Sequence, residues 1–92
     1  MIRTFADKET RSLWERQSVK RFRAFERIAL RKLVQVDAAS SLDDLRFPPG
    51  NRLEALKGER RGQMSLRIND QWRICFRWSD GGVEGVEIVD YH

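Results

Sequence analysis

Residues 63–78, QMSLRINDQWRICFRW, decide the fold. Met64, Leu66 and Ile68 alternate with Ser65 and Arg67. Asn69 and Asp70 follow. Then Trp72, Ile74, Phe76 and Trp78 alternate with Gln71, Arg73, Cys75 and Arg77. Period-two alternation is the mark of a strand with one covered face. Two short polar residues between such runs mark a tight turn. The stretch therefore reads as an antiparallel hairpin with an apolar face to be packed and a face carrying Arg73.

Downstream, SDGG (residues 79–82) supplies a second hairpin turn and VEGVEIV the last strand, which delivers Asp90, Tyr91 and His92. Upstream, LEAL (53–56) reads as a short strand and KGERRG as a basic turn. RFPPGNR marks a hinge between layers, since Pro48, Pro49 and Gly50 end any helix. Before it the period changes. Phe22, Phe25, Ala29, Leu33 and Val36 recur at steps of three and four, with Ile28 widening the stripe, so residues 19–39 are expected to be helical. A capped turn is expected at Ser41 with Asp44. A shorter helix is expected after Asp7, whose carboxylate suits a helix start. MIRTF reads as a short first strand. The predicted fold class is α+β: a small antiparallel sheet of three or four strands packed on two N-terminal helices, one domain over residues 1–92.

Eighteen Lys and Arg, mostly arginine, against fourteen Asp and Glu give a net charge of +4 and a pI of about 9.8. Such a balance suits a polyanionic partner. Seven basic residues and one acid, Glu26, lie between Arg16 and Lys32. That face suits solvent, an acidic protein partner or nucleic acid. The lone Cys75 excludes an intrachain disulfide and, with a single histidine, a Cys/His metal cluster; it reads as a buried free thiol. No stretch is long and apolar enough for a signal peptide or a membrane span, and a cytoplasmic setting is expected.

Seven basic residues fall between Arg52 and Arg77, whereas residues 78–92 contain no Lys or Arg. An acidic, imidazole-ending strand thus meets a basic sheet. The arrangement suits plain charge balance, or a site that holds phosphate with cations and moves protons with Asp90, Tyr91 or His92. RNA cleavage without a metal needs both: cations for the charge gathering on phosphorus, and proton transfer from the 2′-hydroxyl and to the leaving oxygen. His92 is the side chain suited to titrate near neutrality. Lys57, Arg73 and the neighbouring Arg60 or Arg61 are candidates to hold phosphate, and Tyr91 to stack on a base. No serine sits in a nucleophile elbow, and KGERRG is not a phosphate loop.

NRLEALKGERRGQMSLRINDQWRICFRW followed by VEIVDYH resembles the HigB-like toxins of the RelE superfamily, with the likeness running from MIRTF to the end. LKG, the G-x-x-S-L-R-I-N-x-x-W-R-I-x-F core and D-Y-H are together specific. The resemblance implies a RelE-like fold and a metal- and cofactor-independent endoribonuclease that cuts messenger RNA in the ribosomal A site. It implies a helix-turn-helix antitoxin, HigA-like, as partner, with the pair acting on operator DNA. Lys57, Arg73, Asp90, Tyr91 and His92 then correspond to catalytic positions, and Arg60, Arg61 and Arg67 are expected to contact RNA or the ribosome. The sequence departs from the family at Glu54, where relatives carry a histidine three residues before the lysine. Glu54 is expected to be an accessory group. Two other readings remain open: a ribosome- or nucleic-acid-binding module without cleavage, and a co-repressor acting with its antitoxin.

Overall fold

The computed structural model describes residues 1–80 and 82–91. A helix α1 (Lys8–Trp14) leads to a 3-10 segment (Lys20–Phe25) continuous with helix α2 (Glu26–Ala38). Two further 3-10 turns, Leu42–Arg46 and Pro49–Asn51, cross to the sheet. The sheet is an antiparallel meander of β1 (Glu54–Ala55), β2 (Met64–Arg67), β3 (Trp72–Ser79) and β4 (Gly82–Asp90), in that spatial order.

The expected alternation holds on the packed face. Leu66, Ile68, Ile74 and Phe76 are buried against Phe22, Phe25, Ala29, Leu33 and Val36, with Met64, Trp72 and Trp78 at the margin. The Trp72 ring meets Phe22 edge-on at 5.8 Å and Phe25 at 5.0 Å, so the predicted helical stripe and the predicted strand face close on each other. Ile28 does not widen the stripe; it is 39% exposed, one residue and about 100° around the helix from Ala29. Asp7 caps α1, accepting from the Thr10 amide at 3.2 Å, and Ser41 with Asp44 forms the expected capping box.

MIRTF is not a strand. It makes two isolated parallel bridges to β4, Ile2 with Val83 and Phe5 with Val86. The reason lies in β4. Gly85 takes a left-handed φ of 63°, and the β3–β4 register slips between Cys75 and Arg77. This bulge interrupts any continuous ladder along the β4 edge. At Gly82 a β-carbon would stand 2.6 Å from the Met1 carbonyl oxygen, the oxygen that accepts from the Val83 amide at 2.9 Å; only glycine fits there.

The second sheet face is less open than the alternation suggests. Ser65, Cys75 and Leu56 are buried on it, outside the main core. The loop after β1 lies over them, because Arg60 reaches across to Glu87 on β4 at 3.3 Å. No helix is long and apolar enough to cross a membrane, among the described residues.

Candidate active site

β3 carries Arg73, whose cross-strand partners are Arg67 on β2 and Val89 on β4. Its guanidinium donates to the Arg52 carbonyl at 2.7 Å and stacks over the Tyr91 ring at 5.5 Å. Arg52 has a left-handed backbone, φ 46°, an uncommon state for a residue with a β-carbon; its carbonyl lies within reach of Arg73. Arg73 Nε is buried without an acceptor among the described residues. A carbonyl orients a guanidinium but neutralises none of its charge, so Arg73 is held in place with its charge unspent.

Tyr91 is fixed by the sheet. Its amide donates to the Gln71 carbonyl at 2.6 Å, and the Gln71 side chain donates to Asp90 Oδ2 at 3.0 Å. Gln71 thus holds two of the three last residues at once. Tyr91 is 40% exposed and, with Glu54, Ala55, Leu56 and Lys57, lines an open cleft of about 450 Å³. Glu54 enters it from β1, paired with Ser65. Lys57 precedes the 3-10 turn Gly58–Arg60, a loop pinned by the Leu56 amide to Gln63 at 2.9 Å and the Gln63 amide to Arg60 at 3.0 Å. Glu54 and Lys57 are both exposed and form no ion pair among the described residues. His92 lies outside the described residues.

The structure therefore brings Lys57, Tyr91 and Glu54 to one cleft, with Arg73 under the Tyr91 ring and Asp90 adjoining. The expected outer basic group divides. Arg60 is half-buried and bonded to Glu87 and Gln63. Arg67 pairs with Asp70. Arg61 is exposed. Sequence reasoning missed Arg52, which acts through its main-chain oxygen, and Gln71, which acts through both its main-chain oxygen and its side chain. Only the register, which sets Trp72 opposite Asp90, reveals that Gln71 must meet Tyr91. It also missed Lys32, read as part of a charged outer face. Lys32 is 8% exposed and donates to the Arg67 carbonyl at 2.6 Å. Burial lowers its pKa, with the cations of Arg31, Arg67 and Arg73 adding to the effect. The Cys75 thiol is pushed up by burial first; Glu87 raises it further, and Arg60 and Arg73 pull the other way.

A meander of this order on two N-terminal helices, with a basic sheet face meeting the chain's end, defines a RelE-like toxin fold. A chain of the YoeB-YefM complex from Staphylococcus aureus superposes with a TM-score of 0.58 over 100% of this chain and 98% of that one, at 16% identity. The chain belongs to the HigB-like toxin family: the family described as RelE-like toxin of type II toxin-antitoxin system HigB matches residues 3–92. Toxin HigB-1 of Vibrio cholerae serotype O1 is 48% identical over 58 residues, 63% of this chain and 61% of that one. Endoribonuclease HigB of Proteus vulgaris is 31% identical over 61 residues, 66% and 65% of the two chains. The chain spans about three-fifths of the length of these curated relatives.

Proposed function

We propose that this chain is the toxin of a type II toxin–antitoxin pair and a ribosome-dependent, metal-independent endoribonuclease that cuts messenger RNA in the A site. The observation that carries the reading is Arg73. It is a guanidinium near the start of β3, anchored by the Arg52 carbonyl and the Tyr91 ring, beside a cleft shared with Lys57. In the proposed reaction Arg73 and Lys57 hold the scissile phosphate. The 2′-hydroxyl loses its proton and its oxygen attacks phosphorus. The bond to the 5′-oxygen breaks, and that oxygen takes a proton. A 2′,3′-cyclic phosphate and a 5′-hydroxyl result. Cations set before the reaction stabilise the charge gathering on phosphorus. Tyr91 presents its ring to a base. Family resemblance makes His92 the proton-transfer group, with Asp90 beside it. The site is open and shallow, so the ribosome supplies the alignment of substrate that the chain does not. A cognate helix-turn-helix antitoxin is the proposed partner, and operator DNA is met through their complex.

The test uses programmed ribosomes with a defined message, EDTA present, and ends mapped by primer extension. The expected result is A-site cuts by the wild type that vanish in Arg73→Ala and His92→Ala while ribosome binding persists. Wild-type protein that binds ribosomes and leaves the message whole would overturn the nuclease reading in favour of a non-cleaving binding module.

A further inference from the structure

A second cleft, of about 340 Å³, opens between α2 and the PPGN turn; Arg31, Lys32, Gln35, Pro48, Asn51 and Arg67 contribute to its wall. Its charged residues are all cations. Arg67 has Asp70 as its partner, but Lys32 has no carboxylate partner among the described residues. Its ammonium makes one hydrogen bond, to a carbonyl, and so keeps two donors in hand. A buried ammonium is normally paired with an anion. The reason a carbonyl is there to meet it is topological. The Ile68 amide bonds to the Trp72 carbonyl, so the Arg67 carbonyl turns the other way, where β1 has already ended. Lys32 fills that gap in the sheet edge.

The rim of the cleft carries a second feature. Phe47, next to Pro48, is 69% exposed, yet its backbone is held rigidly. Its carbonyl accepts from Gln35 Nε2 at 2.5 Å and from Asn51 Nδ2 at 3.0 Å, while Asn51 also bonds to the Leu45 carbonyl. An outward aromatic on an anchored backbone, one residue from a cleft wall whose charges are cations, is a pairing that single-stranded RNA recognises: a base face next to a phosphate. Through Arg67 the cleft neighbours the strand that carries Arg73. Arg67 stands opposite Arg73 on the neighbouring strand and offers its carbonyl to Lys32 on the other side.

We propose that the Arg31–Lys32–Arg67 cleft binds a backbone phosphate of single-stranded RNA and that Phe47 stacks on the adjoining base, extending the RNA track from Arg73. This rests on the RNA-cleaving reading for its substrate. The chemistry excludes no particular base, since stacking is sequence-tolerant.

The test is binding of a fluorescent 2′-O-methyl RNA decamer, which that reaction cannot cut, by the full chain across a salt series. Arg31→Ala and Phe47→Ala are compared with Lys8→Ala, an equal loss of charge on α1, the helix whose Thr10 bonds to β4 at the far side of the sheet. Arg31→Ala is expected to flatten the salt slope by about 0.7, the value for one phosphate contact on a single strand. Phe47→Ala is expected to weaken binding by roughly five- to a hundredfold. Lys8→Ala is expected to do neither. Equal effects of Arg31→Ala and Lys8→Ala would overturn the proposal, as would a decamer that the wild type does not bind. Unchanged RNA binding with weakened antitoxin binding would also overturn it and give the cleft to the antitoxin. Cleft-dependent RNA binding by a protein that cuts no message would sustain the cleft and remove only the nuclease reading.

Discussion

Thr10→Val isolates the contact that ties α1 to the strand ending at the site. Thr10 is fully buried, and its hydroxyl oxygen accepts from the Ile88 amide at 2.9 Å. Along the β4 edge the N-terminal segment serves this role first, with Val86 donating to Thr4 and Ala6 donating to the Val86 carbonyl. The chain then turns at Asp7 into the helix, and Thr10 takes over at the next outward amide. Valine keeps the shape and removes the acceptor, leaving a buried amide unpaired at a cost of about 1–3 kcal/mol. Thr10→Ser keeps the acceptor and loses one methyl, about 0.8 kcal/mol. With a urea slope of about 2 kcal/mol/M for a small domain, Val is expected to lower the midpoint by about 1 M, and Ser by less than half of that. Hydrogen exchange at the Ile88 amide should quicken in Val and not in Ser. A Val variant as stable as Ser, with Ile88 still protected, would refute the edge-capping argument.

Three further outcomes follow from the same geometry. Because burial lowers the Lys32 pKa below the ordinary lysine value, the unfolded chain binds more protons than the folded one as pH rises between the folded and unfolded values. Lys32 therefore costs stability in full below that window and the cost disappears toward the unfolded pKa; wild type should gain stability relative to Lys32→Met in urea titrations carried up to that pH, and a constant difference would sink the idea. Cys75, with no exposed surface, should react with a thiol-modifying disulfide only at the rate of opening, and immediate stoichiometric labelling of folded protein would contradict its burial. Glu54→Gln keeps size and an acceptor oxygen, so an accessory Glu54 predicts cleavage within about tenfold of wild type; a loss of roughly 10²–10⁴ with a shifted pH profile and an intact fold would make it the general base.

What the sequence made legible was periodicity. The alternation in residues 63–78 and the three-four spacing from Phe22 to Val36 determine which faces meet, and the core follows from that. The capping signals at Asp7 and Ser41 were local and readable for the same reason. MIRTF failed because its apolar residues at Ile2 and Phe5 look like strand contacts, while the glycine bulge that limits their pairing lies eighty residues away in β4. Lys32 was misread because a helical wheel shows which residues are charged but not where a neighbouring strand runs out. Lys57, Arg73, Tyr91 and Glu54 were singled out as candidates by residue type and family likeness. Their mutual placement depends on the register that sets Trp72 against Asp90 and on the Arg52 carbonyl, neither of which residue type encodes.

The basic residues of the sheet side divide by what holds them, and the division bears on function. Arg60 and Arg67 are met by carboxylates, Glu87 and Asp70. Their charge is largely answered within the chain. Arg73 and Lys32 are met by main-chain carbonyls, those of Arg52 and Arg67. Both bonds form where the short β1 stops covering β2, so edge oxygens that a longer strand would have bonded are left to accept from cations. A carbonyl fixes position without cancelling charge. Two oriented, uncancelled cations therefore flank Arg67 on either side of one strand. In a low-dielectric setting, preset charge of this kind acts on an arriving phosphate with little reorganisation. The brevity of β1, two residues, is thus what leaves these main-chain oxygens to orient cations instead of completing a sheet ladder.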